Sequence, residues 1–512
     1  MEFNPSNKFR VDAELNRSIK IPSEIKDIAE KLKKAGYQAY LVGGCVRDLL
    51  LGREPKDWDI ATNAKPEEIQ RIFPDSVYEN AFGTVGVKTG SEIPALKVVE
   101  ITTYRLEGRY TDKRHPDEIK FAKTVEEDLS RRDFTINAMA LRCDTNLRMH
   151  TNDTNGYEFI DPYGGQKDLK DKIIRAVGNP DERFNEDALR LMRAVRFSAE
   201  FGFEIENKTA EAIKKHAGLL EMIAKERIRD EFIKIVMAEK PSEGIQKLED
   251  LGLLRYIIPE LREGVGITQN KHHIYTIWEH SLRSLDYAAK NNYSLEVRLA
   301  ALLHDVGKPR TKQGEGTDST FYSHEIVGAK MTARILNRLC FPKDITERVV
   351  HLVRYHLFYY NVGEVTEAGV RRFLVRVGPE NVGDFVKVRE ADRIGSGVPK
   401  AVPYKIRHLL FMIEKVKQDP ISPKMLAVNG EDVMRILEIE PGPRVGQILS
   451  ILLEEVLDDP KKNSKEYLVM RIEELGKLSD KELEKIAKQA REKKEEFESG
   501  IEGEIKKKYY VK

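Results

Sequence analysis

The sequence predicts an α/β head built on a mixed sheet, followed by an all-helical body. Two patterns support this prediction. Strand-like and helix-like segments alternate over roughly residues 1–150, whereas apolar residues recur at helical spacing almost continuously from Asp181 onward. Proline and glycine residues interrupt the helical part, and they are expected to mark the ends of helices: Pro241, Gly252, Pro259 and Gly264.

Four regions are expected along the chain of 512 residues, which is long enough for three or four domains of about 150 residues each. Their predicted bounds are 1–150 for the head, 151–267 for a helical neck, 268–395 for a second helical domain and 396–512 for a charged C-terminal region. A polar stretch at 144–157 predicts a hairpin or surface loop. The Lys- and Glu-rich residues 458–512 predict either a charged helix or a partly disordered tail.

The overall charge does not by itself indicate a nucleic-acid partner. The chain has 86 basic and 85 acidic residues, so its net charge is only +1. Binding an RNA backbone would therefore require a local basic face rather than a basic total. Candidate faces are 214–216, 225–229 and 371–372, although each could equally be an ordinary solvated side of a helix.

Composition also indicates the cellular compartment. The three cysteines, Cys45, Cys143 and Cys340, have no Cys-x-x-Cys spacing, which argues against a disulfide framework or a zinc knuckle. The N-terminus has no apolar signal core, and no apolar run approaches the length of a membrane span. A cytoplasmic protein with no membrane partner is expected.

The first chemical pattern is a Gly-Gly turn between a strand and a helix. The run 37–42 predicts a buried strand that leads into Gly43 and Gly44, and the residues from Cys45 to Leu51 predict a helix. Glycines let the backbone amides and the helix N-terminus approach a triphosphate, and Arg47 lies near enough to contribute. The turn is therefore a candidate phosphate-binding site.

A pair of carboxylates follows this turn. Asp57 and Asp59 are two residues apart, so on a β-strand both side chains point to the same face. Two carboxylates on one face are what a two-metal phosphoryl-transfer site needs to hold a pair of Mg²⁺ ions. Glu100, on the strand-like run 97–102, is a candidate for a third acidic group beside the metals.

Two further blocks lie at 131–138 and 185–197. If the second block is one helix, Asp187 and Arg190 are neighbours on its polar face, with free hydrogen-bonding edges. A carboxylate and a guanidinium held in this way can imitate the edge of a base pair. A surface salt bridge between residues three apart is the alternative interpretation.

These blocks, in this order, resemble the class II tRNA nucleotidyltransferases, which are the CCA-adding enzymes, and the related bacterial poly(A) polymerases. The similarity runs from roughly Ile28 to Arg229 and more loosely to about Arg393. It implies a nucleotidyltransferase head that uses Mg²⁺. The roles implied for individual residues are metal binding by Asp57 and Asp59, triphosphate binding by Gly43, Gly44 and Arg47, ribose and phosphate binding by Arg132, Asp133 and Asn137, and selection of CTP and ATP by Asp187 and Arg190.

A second constellation matches the HD-domain pattern. Its principal members are His280, His304, Asp305 and Asp392. Imidazoles and carboxylates on facing helices can hold one or two divalent metals for phosphoester hydrolysis, and His324 and His356 could supply ligands to a second ion. The identity of this metal is left open. A domain kept only as a helical scaffold is the alternative.

The resemblance implies stepwise addition of C, C and A to a tRNA 3′ end from CTP and ATP. The polar stretch 102–116 resembles a flexible loop of the complete CCA-adding members and argues against a CC-only enzyme. An A-adding enzyme, a poly(A) polymerase, and a metal phosphohydrolase whose head only binds RNA remain as alternatives. A pure binding protein is disfavoured because the carboxylates of the head are intact. The oligomeric state is left open.

Overall fold

The protein folds into two compact units in the computed structural model. The first comprises Met1–Glu263 and Ile335–Pro342, and the second comprises Gly264–Arg334 and Lys343–Lys512. The structure describes residues 19–78, 83–107, 119–142, 158–270, 274–358, 361, 364–416 and 426–488. A mixed sheet with helices is followed by a helical body, which confirms the predicted fold class. The four domain boundaries proposed from the sequence stay predictions.

The head alternates short strands and helices. In chain order its elements are α1 Ser23–Lys34, β1 Tyr40–Val42, α2 Gly44–Leu50, β2 Asp59–Thr62, α3 Pro66–Ile72, β3 Ser76–Tyr78, β4 Thr84–Lys88, β5 Val98–Thr103, β6 Arg105–Glu107, β7 Ile119–Phe121, α4 Val125–Ser130, β8 Ala140–Arg142 and β9 Phe159–Ile160. Strands β6 and β7 form a separate two-stranded sheet. The polar stretch 102–116 is described only to residue 107, and the predicted hairpin at 144–157 lies outside the described residues.

The main sheet has seven strands in the order β3-β4-β5-β2-β1-β8-β9. Neighbouring strands are antiparallel except β2 and β5, which are parallel. Strand β1 is buried along its whole length, because helices cover the sheet and leave no solvated face for it. On one face, Tyr40 and Val42 pack with Tyr104, Val125 and Leu129. These contacts pack α4 against the sheet.

The neck of the first unit is helical, with two short strands. Its elements are α5 Gly165–Asp171, β10 Ile173–Ile174, α6 Pro180–Glu186, α7 Leu189–Phe201, β11 Glu204–Ile205, α8 Asn207–His216, α9 Lys225–Val236, α10 Pro241–Asp250, α11 Leu254–Ile257 and α12 Pro259–Arg262. Proline at the first position of α6, α10 and α12 starts these helices, because its missing N–H would be unpaired there in any case.

The remaining elements are helices: α13 Ile277–Lys290, α14 Leu295–Leu303, α15 Lys308–Thr311, α16 His324–Arg338, α17 Lys343–Tyr355, α18 Glu367–Val377, α19 Val382–Gly395, α20 Tyr404–Val416, α21 Gly430–Leu437, α22 Pro443–Asp458 and α23 Lys465–Gly476. Helices α21 to α23 share a core of their own around Val433, Leu452 and Ile472. The charged C-terminal region is helical again at 480–488. Among the described residues, none of the helices combines the length and apolar character needed to cross a bilayer.

Candidate functional site

The Gly-Gly pair follows β1 as predicted, with Gly43 joining the strand to α2 and Gly44 as the first residue of that helix. Gly43 has a φ of +76°, and a Cβ there would lie 2.5 Å from Arg132 Nη1 and 3.7 Å from Asp59 Oδ2. A Cβ on Gly44 would lie 3.9 Å from Asp57 Oδ1. Gly43 therefore meets two requirements that only glycine satisfies, a left-handed backbone and the close approach of a guanidinium. The turn gathers Arg132, Asp57 and Asp59 around it.

Strand pairing brings a third carboxylate to this turn. In the parallel pair of β2 and β5, Asp59 lies opposite Glu100. Residues directly opposite each other in a sheet point to the same face, so these two side chains are neighbours. The prediction that Asp57 also lies on the strand is wrong. Strand β2 begins at Asp59, and Asp57 is exposed in the preceding bend because buried Trp58 anchors the chain between them.

The electrostatics of the head site reflect this crowding of acids. Burial raises the pKa of Asp59, Arg132 lowers it, and the neighbouring carboxylates of Glu100 and Asp57 raise it again, to about 6 overall. Three carboxylates beside a turn of backbone amides are the oxygen donors that Mg²⁺ prefers. The donor set therefore fits a divalent cation. Among the described residues, two groups of at least three ligand side chains have their ligand atoms within 4.8 Å of one another, and both groups lie in the second unit. The three carboxylates of the head are therefore spaced more widely than this.

Four polar side chains, three of them buried and Arg193 partly exposed, form a network next to the turn. Arg47 donates from Nη1 to Asn137 Oδ1 at 2.7 Å, and Asn137 Nδ2 donates to Asp133 Oδ1 at 3.2 Å. Arg193 closes the network by donating from Nε to Asp133 Oδ2 at 2.7 Å. The guanidinium of Arg47 also lies over the Phe201 ring, 4.7 Å from its centroid. The predicted nucleotide-binding residues Arg47, Asp133 and Asn137 are therefore brought together, with Arg47 held in the network.

The charge of Asp133 is stabilised by its partners. Burial alone would raise the pKa of this carboxyl, but Arg193 and Arg190 outweigh burial and hold the pKa well below its usual range. Asp133 is therefore ionised in the fold. It also accepts the backbone N–H of Phe134 at 2.8 Å, so the chain that leads into Asn137 has a defined path.

The prediction that Asp187 and Arg190 share one helix with free edges is wrong. Helix α6 ends at Glu186, Asp187 is extended, and α7 begins at Leu189. The break forms because the Asp187 carboxylate accepts the backbone N–H of Leu189 at 3.0 Å, a contact typical of a helix start. The free N–H groups at the start of α7 are thus partly satisfied, and Asp187 is drawn out of the helix.

Both side chains of this pair are already engaged. Arg227, on α9, donates from Nη2 to Asp187 Oδ2 at 2.9 Å. Arg190 is buried and donates from Nη1 to Glu186 Oε2 at 2.6 Å, and from Nη2 to the carbonyl of Arg131 at 3.0 Å. The pair is held in place by other charged groups, so any base that it reads would meet a preorganised edge.

Sequence reasoning missed three residues that hold this site. Arg193 holds Asp133, Arg227 holds Asp187, and Asp128 holds both Arg131 and Arg132. Only Asp128 has a local signal, since it precedes the two arginines by three and four residues near a helix end. Arg227 is separated from Asp187 by 40 residues, and no pattern in the sequence links the two.

The predicted basic faces are mostly paired. Arg371 donates to the carbonyl of Leu457 at 2.8 Å, and Arg372 contacts Glu454 at 2.5 Å. These two arginines connect helices within the second unit, so the interpretation of 371–372 as an RNA-binding face is wrong. Lys215 and His216 both contact Asp181.

The second constellation forms a buried cluster around Asp305. His280 Nε2 lies 3.1 Å and His304 Nε2 lies 3.3 Å from Asp305 Oδ2. The other oxygen, Oδ1, faces His324 Nε2 at 3.4 Å and His356 Nε2 at 3.7 Å. One carboxylate is therefore shared by two groups of ligand atoms, each within 4.8 Å.

Asp392 completes the cluster on the side of the first group. Its Oδ1 lies 3.4 Å from His280 Nε2 and 3.7 Å from His304 Nε2, and its Oδ2 contacts Arg389. All six predicted ligands are thus brought together, including His324 and His356.

The orientation of three imidazoles suits metal binding. The Nδ1 atoms of His304, His324 and His356 lie 2.9, 2.6 and 2.7 Å from the backbone carbonyls of Ala301, Phe321 and Val353. Because a carbonyl only accepts, each Nδ1 carries the hydrogen in the neutral ring, and Nε2 presents its lone pair to the cluster. The buried Nε2 of His324 has no hydrogen-bond partner of normal geometry. This donor set therefore fits a divalent metal.

Burial and charge act in opposite directions in this cluster. Burial would lower the pKa of His304, but Asp305 and Asp392 outweigh it and raise that pKa. Burial together with the neighbouring His304 and His324 lowers the pKa of His356. Asp305 and Asp392 act to raise the pKa of both imidazoles, but at His356 burial and the two neighbouring imidazoles outweigh them, so the two pKa values are shifted apart, as is typical of a functional site.

Three family models match the chain in order. The Poly A polymerase head domain matches residues 39–175. The model described as a probable RNA and SrmB-binding site of polymerase A matches residues 202–264, and the HD domain matches residues 277–377.

Characterised relatives cover nearly the whole chain. A CCA-adding enzyme of Lactococcus lactis is 34% identical over 461 residues, which are 89% of this chain and 99% of the relative. An A-adding tRNA nucleotidyltransferase of Deinococcus radiodurans is 34% identical over 429 residues, 81% and 91% of the two chains. The crystal structure of the Bacillus stearothermophilus CCA-adding enzyme with CTP aligns with a TM-score of 0.64 at 29% identity, covering 89% and 98%. The chain therefore belongs to the tRNA nucleotidyltransferase family of the CCA-adding enzymes, and it carries an HD domain.

Proposed function

We propose that this nucleotidyltransferase adds C, C and A in turn to the 3′ end of tRNA, taking the nucleotides from CTP and ATP. The observation that supports this most directly is the pairing of Asp59 with Glu100 beside the Gly43 turn, because it unites an acidic site with a phosphate-binding turn. The relatives named above that share this organisation include a CCA-adding enzyme aligned over 99% of its length and a CCA-adding enzyme in complex with CTP.

Each group of residues has a separate task in this proposal. Asp57, Asp59 and Glu100 would hold Mg²⁺, which when bound supplies charge neutralisation at the phosphates and activates the attacking 3′-hydroxyl. The Gly43–Gly44 turn, through the backbone amide of Gly44, and Arg132 bind the triphosphate; the N–H of Gly43 itself donates to the Met139 carbonyl at 3.4 Å.

The ribose and the base are bound next to the triphosphate. Arg47, Asp133 and Asn137 form the polar wall that positions the ribose and phosphates. Asp187 and Arg190 present a carboxylate and a guanidinium that match the hydrogen-bonding edges of cytosine and adenine, and a wrong base leaves buried groups unpaired.

The A-adding activity is the nearest alternative, since a relative with that name is as similar as the CCA-adding one. Three otherwise identical tRNA transcripts separate the possibilities: one ends at the discriminator base, one after C and one after CC. Each is incubated with CTP, ATP or both. We expect C to be added to the first two, followed by one A and a stop. Activity on the CC-ended transcript alone would show an A-adding enzyme, and an open ladder of A would show a poly(A) polymerase.

The site assignment is tested in the same assay. Asp59→Asn removes the charge of the central carboxylate with little change in shape, and we expect addition to fall by roughly four orders of magnitude. Asp75→Asn, an exposed aspartate elsewhere in the head, is the matched control and should add nucleotides at the wild-type rate. Near wild-type addition by Asp59→Asn would contradict the assignment.

The cluster around Asp305 supports a second candidate function, hydrolysis of phosphoesters. His280, His304, Asp305 and Asp392 would hold one divalent ion and His324, His356 and Asp305 a second, and the metal supplies an activated water when bound. The protein's own contribution is to fix the imidazoles through their Nδ1 contacts and to keep the cluster buried.

A chromogenic phosphodiester, bis(p-nitrophenyl) phosphate, tests this activity with Mn²⁺, Co²⁺, Ni²⁺ or Mg²⁺ in turn. We expect hydrolysis by the wild type with at least one of these metals and none by His304→Ala. His351→Gln is the matched control, because His351 lies outside the cluster: its Nε2 contacts the carbonyl of Val377 at 2.7 Å, and its ring packs against Tyr355. Equal hydrolysis by His304→Ala would show that the activity lies elsewhere.

A further inference from the structure

A glycine at the end of α19 lies against the first group of ligands in the imidazole cluster. Gly395 is the last residue of this helix and is buried. A Cβ at this position would lie 2.9 Å from the backbone oxygen of His280 and 3.1 Å from its Nδ1, and it would collide with Ser284 Oγ. A larger residue therefore fits here only if α13 or α19 shifts, because a packed interior has no spare room.

Small side chains continue along the crossing of α13 and α19. On α13, Ser284 and Ala288 follow His280 at intervals of four residues. On α19, Ala391 precedes Gly395 by four. Each series therefore lies on one face of its helix. Ala288 and Ala391 belong to the same fully buried core, so small residues on both helices allow a close approach.

The crossing brings one ligand from each helix to the same ion subsite. Asp392, on α19, has its Oδ1 3.4 Å from His280 Nε2, on α13. On a partly exposed side, Glu390 Oε2 accepts the hydroxyl of Tyr287, also on α13, at 3.4 Å and the hydroxyl of Tyr293 at 2.6 Å. Packing and hydrogen bonds thus hold the two helices at a fixed distance, and this distance determines how far His280 lies from Asp392.

The second group of ligands comes from other helices. His324 is the first residue of α16, His356 follows the last residue of α17, and Asp305 lies just after α14. Neither α13 nor α19 contributes a ligand to this group. A change in the crossing of α13 and α19 would therefore alter the geometry offered to one ion and leave that offered to the other.

From these contacts we infer that Gly395 is a positioning residue for the first ion subsite, which sets the separation of His280 and Asp392 by letting α13 and α19 touch. The inference rests on the second candidate function, in which the cluster around Asp305 holds two divalent ions. A methyl group at position 395 moves the His280 backbone or turns its ring, and displaced ligands bind a metal weakly.

Titration of the full chain with Mn²⁺ tests this inference, after treatment with a chelator and with isothermal titration calorimetry as the measurement. Every protein carries Asp59→Asn, which removes the central carboxylate of the head site. We expect Gly395→Ala to weaken one binding event at the cluster about tenfold or more, and to leave the other within about twofold. Affinities equal to those of the parent protein would overturn the inference, as would equal weakening of both events.

The matched control is Gly383→Ala. Gly383 lies on the same helix, is exposed, and a Cβ there meets nothing within 4 Å. Both substitutions replace a helical glycine with a better helix former, and only Gly395→Ala introduces a collision. We expect Gly383→Ala to bind Mn²⁺ as the parent protein does. An equal loss of affinity in this control would show an effect of the helix rather than of the contact, and would overturn the inference.

Two further variants keep the test decisive. If Gly395→Ala does not fold, it is combined with Ser284→Gly, which removes the hydroxyl nearest to the added methyl and keeps the collision with His280. This double variant should weaken the same binding event relative to Ser284→Gly alone, and an unchanged affinity would overturn the inference. His304→Ala separates the two levels of the argument. If it binds Mn²⁺ as the parent protein does, the proposed metal centre fails; if it loses binding while Gly395→Ala keeps it, only the role of Gly395 fails.

Discussion

At the scale of single residues, the head site depends on contacts that tolerate little change. Gly43 combines a positive φ with the close approach of Arg132, and Asp133 is ionised in a network with Arg193. Gly43 is constrained by its backbone conformation and by the space around it, whereas Asp133 is constrained by charge. Substitution of Gly43 is therefore expected to reduce activity, and substitution of Asp133 to reduce stability in a pH-dependent way.

Gly43→Ala should reduce nucleotide addition roughly 100-fold, because its Cβ displaces the Arg132 guanidinium from the turn. Gly202→Ala is the matched control: it also has a positive φ, of 68°, but a Cβ there meets nothing within 4 Å. Gly202→Ala should lose about 1–2 kcal/mol of stability from its left-handed backbone, and Gly43→Ala should lose at least as much, because a φ of 76° with a ψ of −131° suits only glycine; only Gly43→Ala should lose activity. Equal activities in steady-state assays would contradict this explanation.

Asp133→Asn should lower the free energy of unfolding at pH 7 by about 2 kcal/mol, because it removes the charged hydrogen-bond partner of the partly buried Arg193 guanidinium. The pKa of Asp133 is lowered in the fold, so its contribution is present above the ordinary carboxyl pKa of about 4 and is lost as pH falls through the folded-state pKa. Urea unfolding at several pH values should show the two proteins converging in acid. A difference that does not change with pH would indicate lost packing.

At the scale of elements, the break between α6 and α7 determines how Asp187 and Arg190, the pair proposed to read the base, are presented. A continuous helix would leave Asp187 on its surface, whereas the break places the carboxylate in contact with Arg227 of α9. Four helices thus define the edge: α7 carries Arg190, α6 and α9 contribute Glu186 and Arg227, and the carbonyl that receives Arg190 lies at the end of α4.

Arg227→Met should lower discrimination between correct and incorrect nucleotides by about tenfold, because Asp187 loses the guanidinium that orients it. Maximal rates with the correct nucleotide should change less. Arg255→Met, on the exposed side of α11, is a control from the same unit. Misincorporation of UTP and GTP, measured by primer extension, checks this prediction, and wild-type fidelity would show that Asp187 needs no orientation.

At the scale of the whole molecule, each compact unit contains its own acidic or imidazole cluster. The first holds the carboxylates around Gly43, and the second holds the six ligands around Asp305. Binding of a ligand to either cluster can therefore be detected as a change in the thermal stability of the unit that contains it.

A divalent metal that binds the Asp305 cluster should stabilise the second unit, because the ligands converge only in the folded state. At a metal concentration 100 times the Kd, the gain is about 2.7 kcal/mol, or a rise in Tm of about 5 °C. Calorimetry with Mn²⁺ and then with excess EDTA measures this shift. We expect His351→Gln to retain the shift and His304→Ala to lose it. A shift that persists in His304→Ala would place the metal elsewhere.

The sequence by itself determined the chemical type of both sites. The Gly-Gly turn, the carboxylates at 57, 59 and 100, and the change from mixed sheet to helices were evident from local pattern, whereas the His and Asp residues of the second cluster were identified by their match to the HD-domain pattern. Local pattern is sufficient here because turns, helix starts and strand periodicity depend on neighbouring residues. The family resemblance supplied the roles.

Only the tertiary structure decided how these groups are held. The pairing of Asp59 with Glu100 depends on which strands lie side by side, and the contact of Arg227 with Asp187 joins helices 40 residues apart. The two oxygens of Asp305 are shared among four imidazoles, one from α13 and three from the ends of α14, α16 and α17. The spacing of these histidines along the sequence does not reveal this sharing. Long-range pairing results from packing the whole core, and individual segments carry no record of their eventual partners.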